Sequence, residues 1–177
     1  MTITFNDYEL FQLLQEHVQN TQPELLTDKK DRTLIIPDWI GSGYKRDIGL
    51  NHGLSLTLHQ YHIEENFTFC SAAVQRNCFE FSFVLAAKTA GHKVSTNPSM
   101  VFMPQQVYFL KSALPADIYH AHAGQAFCAI DVHIKASSLM SMVEESNAKL
   151  PDDFQNMVSG NGIGHVLAPL QLTPHMQ

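Results

Sequence analysis

From residue 54 to residue 61, apolar and polar side chains alternate: Leu54, Leu56 and Leu58 share one parity, while Thr57, His59 and Tyr61 share the other. A period of two marks a strand with two unlike faces, because successive Cβ atoms point to opposite sides of a pleated sheet. The same period recurs from about residue 33 to residue 135. "TLIIPDW" is a short strand broken by Pro37, which has no N–H to give a ladder. "GYKRDIGL" and "GLSLTLHQYHIE" flank "NHG" and read as a hairpin. "FTFCSAAVQ" and "CFEFSFVLAA" read as the next pair, around Arg76 and Asn77, with Phe79, Phe81, Phe83 and Leu85 on one face. "MVFMP" and "VYFLK" are shorter strands. "IYHAHA" and "AFCAIDVHIK" read as a last hairpin turning at Gly124-Gln125, in which Cys128, Ile130, Val132 and Ile134 oppose Asp131, His133 and Lys135.

The two ends change period. Phe11, Leu14 and Val18 lie on one helical face of residues 5–19, with Asn6 and Glu9 in capping positions. "ASSLMSMVEESN" gathers Leu139, Met142 and Val143 on a face. "PDDFQNMV" opens with Pro151 and two acids, which suit a helix N-terminus. "SGNGIG" (159–164) reads as a Gly-rich hinge, and "LTPHMQ" as a helix start with Thr173 as N-cap and Pro174 behind it. The expected layout is an N-terminal helix and arm over 1–32, a β-barrel over 33–135, and C-terminal helices with the start of a linker over 136–177. Short strands punctuated by turns and framed by helices predict a mainly β fold, a jelly-roll barrel or sandwich with space between its inner faces.

A chain of 177 residues suits one domain and can bury roughly 70% of its unfolded surface without staples. Apolar residues make up 45%, with eleven Phe, and charged residues 16%, a globular composition. No apolar run approaches the ~20 residues of a membrane helix, and the N-terminus has no basic segment followed by an apolar one. Cys70, Cys78 and Cys128 form no CxxC spacing and read as small core hydrophobes of a cytoplasmic protein. A net charge of −6, from 17 acidic and 11 basic residues, offers no basic stripe for phosphates. The chain by itself is not expected to bind DNA.

"DWIGSGYKRDIGLNHGLSLTLHQYHIEENF" (38–67), "FEFSFVLAAK" (79–88) and "LTPHMQ" (172–177) resemble, in order, the N-terminal part of AraC/XylS-family transcription regulators. The branch is that of the siderophore-responsive pyochelin-type regulators, common also in cyanobacteria. Its hairpin follows G-Y-x-R-x-I-x-L…G-L-x-L-x-I, its next strand L-E-F-x-F-x-L-x-G, and T-P-x-M then opens a helix leading to the DNA-binding half. Ala87 stands where that strand often ends in Gly, and the two helix-turn-helix units are absent from this chain. The resemblance implies a cupin-like sensor domain that binds a small-molecule effector and forms a homodimer. DNA reading would then belong to a missing C-terminal half.

An effector cavity needs an apolar lining and a few placed polar groups. Phe79, Phe81 and Phe83 are candidates for the lining, though a Phe row also serves as plain core. Tyr61, His59, Glu80 and His120 are the polar candidates. Trp39 and Tyr44, beside the Gly41-Ser42-Gly43 bend, either close a pocket or fasten the N-terminal arm. Arg46 pairs with an anionic ligand group or with an internal acid. Leu139, Met142 and Val143 form a dimer face or pack on their own barrel. No cofactor and no catalytic residue is expected, since no nucleophile and base are arranged together.

The alternative is a metal-dependent cupin enzyme. His-x-His on a strand puts both rings on one face, so His120 and His122, with His59, form a candidate ligand set. The glutamate that follows the histidine pair in cupin metal sites is missing, as Gly124 and Gln125 come instead. His62 and His133 are weaker candidates, and His165 and His175 read as solvated.

Overall fold

In the computed structural model the chain is described over residues 31–71, 78–88, 91–93, 100–112, 117–146 and 166–171, together with Asp152 and Gln155. The helices expected over 5–19 and from 172, the hinge at 159–164, and most of "PDDFQNMV" lie outside the described residues.

Eleven strands and one helix are built from the described residues. They run β1 (Asp31–Ile35), β2 (Gly41–Gly49), β3 (Leu54–Ile63), β4 (Phe67–Ser71), β5 (Cys78–Lys88), β6 (Gly91–Lys93), β7 (Met100–Phe102), β8 (Gln106–Ser112), β9 (Asp117–Ala121) and β10 (Ala126–Lys135). Helix α1 (Ala136–Ser146) and β11 (Val166–Gln171) follow. The protein is mainly β. A seven-stranded sheet runs β1-β2-β3-β10-β5-β8-β11, and a four-stranded sheet runs β4-β9-β6-β7. The ladders are antiparallel in both.

From β3 onward the chain crosses repeatedly between the sheets: β3, β5, β8 and β10 belong to the larger, β4, β6, β7 and β9 to the smaller. This corrects two pairings expected from the sequence. β4 pairs with β9 rather than with β5, and β10 lies between β3 and β5 rather than beside β9. Nearness in sequence favours hairpins, whereas burying apolar faces from two layers sets the actual partners. The β2–β3 hairpin stands as expected, with Tyr44 opposite Gln60 and Asp47 opposite Thr57. Its turn takes His52 and Gly53 into the left-handed region, at φ 59° and 74°. β6 and β11 are additions. β6 is too short to show alternation, and β11 contains Pro169, which is tolerated because the strand lies at a sheet edge.

The sheets meet through two apolar clusters. Phe102 of β7 packs with Val84, Tyr108, Leu110, Phe127 and Ala129 of the larger sheet. Ala121 of β9 packs with Ile40 and Ile63, against which Tyr61 also rests. These contacts fix the inner face of the larger sheet as the one bearing Tyr61, Val84, Tyr108, Phe127 and Ala129. Phe79 and Phe109 are buried on the opposite face, with Phe81 and with Ala136 and Leu139 of α1 packed against them. That helix covers the outside of the sheet as soon as β10 ends.

The first residues of β2 depend on glycine. Gly43 has φ 108°, and a Cβ there would overlap the Gln60 carbonyl oxygen of the paired strand. Gly43→Ala is therefore expected to cost about 2 kcal/mol or more, from backbone strain and a displaced ladder. Chemical denaturation would read this as a lower midpoint with an unchanged slope.

Candidate functional site

The inner face of the seven-stranded sheet has a polar half and an aromatic half. Strand alternation places Thr57, His59 and Tyr61 of β3 on it beside Phe127, Ala129, Asp131 and His133 of β10. β5 adds Glu80, Ser82 and Val84, because His133 stands opposite Glu80 and Asp131 opposite Ser82. β2 adds Asp47 across from Thr57, and Lys45 across from His59. A slip in the β5–β10 register between Cys128 and Ala129 leaves Leu85 unpaired and keeps both strands in phase on either side.

In the polar half, Asp131 is the hub. Its Oδ1 accepts the Ser82 hydroxyl at 2.6 Å, and its Oδ2 lies 2.7 Å from His59 Nε2. An ionised carboxylate can only accept, so His59 donates through Nε2–H. The two side chains of that contact are 15% and 13% exposed. Burial alone would raise the Asp131 carboxyl. The field of His59, the hydrogen bonds from His59 and Ser82, and the field of His133 together hold it below the ordinary carboxylate value. A second chain of contacts runs alongside. The Thr57 hydroxyl donates to Asp47 Oδ1 at 2.8 Å and lies 3.2 Å from His133 Nε2. His133 Nδ1 is 3.7 Å from Glu80 Oε2.

In the aromatic half, the Tyr61 and Phe127 rings stack with centroids 5.5 Å apart. His59 meets both edge-on, at 6.1 Å and 5.9 Å. Phe102 closes on Phe127 from the other sheet, with centroids 6.2 Å apart. The Tyr108 hydroxyl accepts the Met103 N–H and lies 2.9 Å from the Val101 carbonyl, tying the β7–β8 turn to the core. Burial pushes that phenol up. His59 thus stands where carboxylates give way to rings.

Tyr61, His59 and Glu80 are brought together on this face. The other residues expected at a binding site lie elsewhere. Phe79 and Phe81 pack under α1, and alternation puts Phe83 on the same outer side. A Phe row at period two belongs to one face, and here the helix claims it. Arg46 takes the internal acid of its two readings. Its Nε donates to Asp31 Oδ1 at 2.9 Å and its Nη2 bonds the other oxygen, on the outer side of β1 and β2. The guanidinium holds Asp31 below its ordinary value, chiefly by that hydrogen bond. Trp39 is 43% exposed, and Tyr44 is half-buried on the Arg46 side of β2. Leu139 packs on the sheet, whereas Met142 is 41% exposed and Val143 half-buried.

The histidine set His59, His120 and His122 is not gathered. His120 belongs to the smaller sheet, its Nδ1 2.9 Å from the Thr68 hydroxyl, and alternation from Ala121 turns it to the outer side. His122 falls beyond the end of β9 and is exposed, which breaks the His-x-His geometry. Among the described residues no group of three or more His, Cys, Asp or Glu is spaced to hold a metal ion. Cys78 and Cys128 are free thiols.

Asp131, Ser82, Thr57, Asp47 and Phe127 belong to the face, and sequence reasoning did not select them. Alternation could have found them, since each shares parity or register with His59 or Glu80. Gln125 was also missed. It is fully buried, and its Oε1 accepts the His122 N–H at 3.2 Å. No protein-family model matches this chain, and no curated protein sequence matches it either. No helix among the described residues is long and apolar enough to cross a membrane.

Proposed function

We propose that this chain is the effector-sensing and dimerisation domain of a bacterial AraC-family transcription regulator, cytoplasmic and without catalysis of its own. The observation that carries the reading is the inner face itself. It sets hydrogen-bonding groups around His59 and Asp131 beside the stacked rings of Tyr61 and Phe127, the mixture a small-molecule site uses for orientation and for contact area. The strand crossings between two antiparallel sheets support a cupin-like jelly-roll barrel. The quoted G-Y-x-R-x-I and F-E-F-x-F segments both belong to the larger sheet, on β2 and β5, with β3 and β10 between them. The ligand is a small molecule, of siderophore or iron-linked type by that family likeness. The homodimer would use α1, where Met142 is 41% exposed and Val143 half-buried. DNA contact would belong to a C-terminal half that is not part of this chain.

Such a ligand acts by favouring one state of the chain over another, by no more than its differential affinity for the two. A thermal-shift screen over siderophores, iron salts and small apolar metabolites tests the reading. At a hundredfold excess over Kd, a ligand binding only the folded chain adds about 2.7 kcal/mol. For a chain of this size that raises Tm by roughly 5–10 °C. The shift should vanish in Tyr61→Ala and His59→Ala while surviving in Arg46→Ala. A shift that survives both inner-face changes would contradict the site.

A further inference from the structure

We propose that His133 is a proton-operated latch of the inner face: it bridges Thr57 and Glu80 while both ring nitrogens carry protons, and releases one of them when it loses a proton. The case is one of counting donors. The Thr57 hydroxyl has a single proton, and it is given to Asp47 Oδ1, an atom that can only accept. The Thr57 oxygen therefore faces His133 Nε2 with a lone pair across 3.2 Å, and that nitrogen must bring the hydrogen. The other ring nitrogen, Nδ1, lies 3.7 Å from Glu80 Oε2, beyond a hydrogen bond but within ion-pair range of a carboxylate. Neutral imidazole has one N–H and would turn a lone pair toward one of these oxygens. Imidazolium supplies both donors.

The charged surroundings fit this form. From β2 come Asp47 and Lys45, and in β1 Arg32 stands opposite Asp47 in register. β3 contributes His59, β5 contributes Glu80, and β8 contributes Tyr108 opposite Ser82. On β10 itself Asp131 lies on the same face, and the field of His133 is among the influences holding that carboxyl low. Lys135, at the end of β10, is exposed. Among the described side chains of the smaller sheet the titratable one is His120, turned outward. Among the described side chains three carboxylates share this face with two histidines and one lysine, with Arg32 in register beside Asp47 at its edge, and Glu80 is the carboxylate nearest the His133 ring.

The latch spans four adjacent strands, from Asp47 on β2 through Thr57 on β3 and His133 on β10 to Glu80 on β5. The bridge is complete below the His133 titration while Glu80 stays ionised, and is lost as pH rises through that titration. The latch does not depend on what the effector is, so its failure would leave the binding reading standing, and the converse also holds.

Imidazole ¹⁵N NMR of the full labelled chain from pH 5 to 9 tests it. His133 should carry both protons at pH 7, so its titration should lie above that of an unperturbed histidine. Glu80→Gln, which keeps shape and removes charge, should bring that midpoint down. A singly protonated His133 at pH 7, or a midpoint unmoved in a folded Glu80→Gln chain, would overturn the proposal. The wild-type titration decides it alone if the variant does not fold.

Discussion

Asp131→Ala will destabilise the chain by about 3 kcal/mol at pH 7, since two mostly buried donors lose their acceptor at about 1–3 kcal/mol each. The change removes the acceptor of two donors at once, the Ser82 hydroxyl and His59 Nε2–H. Both pair members are well under a third exposed, so water restores little of the lost contact. Asp131→Asn keeps the volume and one acceptor oxygen, and should lose less. The effect depends on pH in a definite direction. The folded-state carboxyl lies below its ordinary value, so its stabilisation is complete above the unfolded value of ~3.9 and fades as pH falls through the folded one. Urea unfolding of both chains at pH 7, and at successive steps down through the acid range, should show the gap closing with acid. A gap under about 1 kcal/mol at pH 7 would contradict the hub assignment.

Phe127→Ala will cost more, about 3–5 kcal/mol, the range for deleting a buried Phe. Phe127 joins the two sheets. It stacks on Tyr61, meets His59 and Phe102 edge-on, and is 7% exposed. Truncation would leave a void between layers that strand pairing holds apart. The expected fall in Tm is on the order of 10 °C. Leu85→Ala is the matched comparison. Leu85 sits in the register slip and is 38% exposed, so it should cost under about 1 kcal/mol. Similar losses at both positions would mean that the aromatic half is not the seam between the sheets.

Alternation made the faces of β3, β5 and β10 readable from the sequence, because antiparallel strands with one face on a core keep a strict period of two. The split of Leu54, Leu56 and Leu58 from Thr57, His59 and Tyr61 was legible in that way. The choice of inner face was not. Phe79, Phe81 and Phe83 read as a cavity lining or as plain core, and the helix after β10 covers that side. Periodicity says which residues travel together without saying what lies over them. Strand partners were lost for a related reason, since pairing across two layers is set by contacts distant in sequence. His59 and Glu80 were picked for their chemistry, while Asp131 was noticed only for its parity. Its role comes from register, which places it between His59 and Ser82. The histidine pair at 120 and 122 misled because β9 ends between them, at Ala121.

The central claim is that the face of the seven-stranded sheet carrying His59, Tyr61, Phe127 and Asp131 is the one that receives the effector. Amide chemical-shift mapping of the labelled chain, titrated with a siderophore in iron-free and iron-loaded form, bears on it most directly. The account predicts saturable shifts concentrated at Thr57, His59, Tyr61, Phe127 and Asp131, with Phe81, Leu139 and Arg46 quiet. Shifts clustered at Phe81 and Leu139 instead, or none for either form, would contradict it.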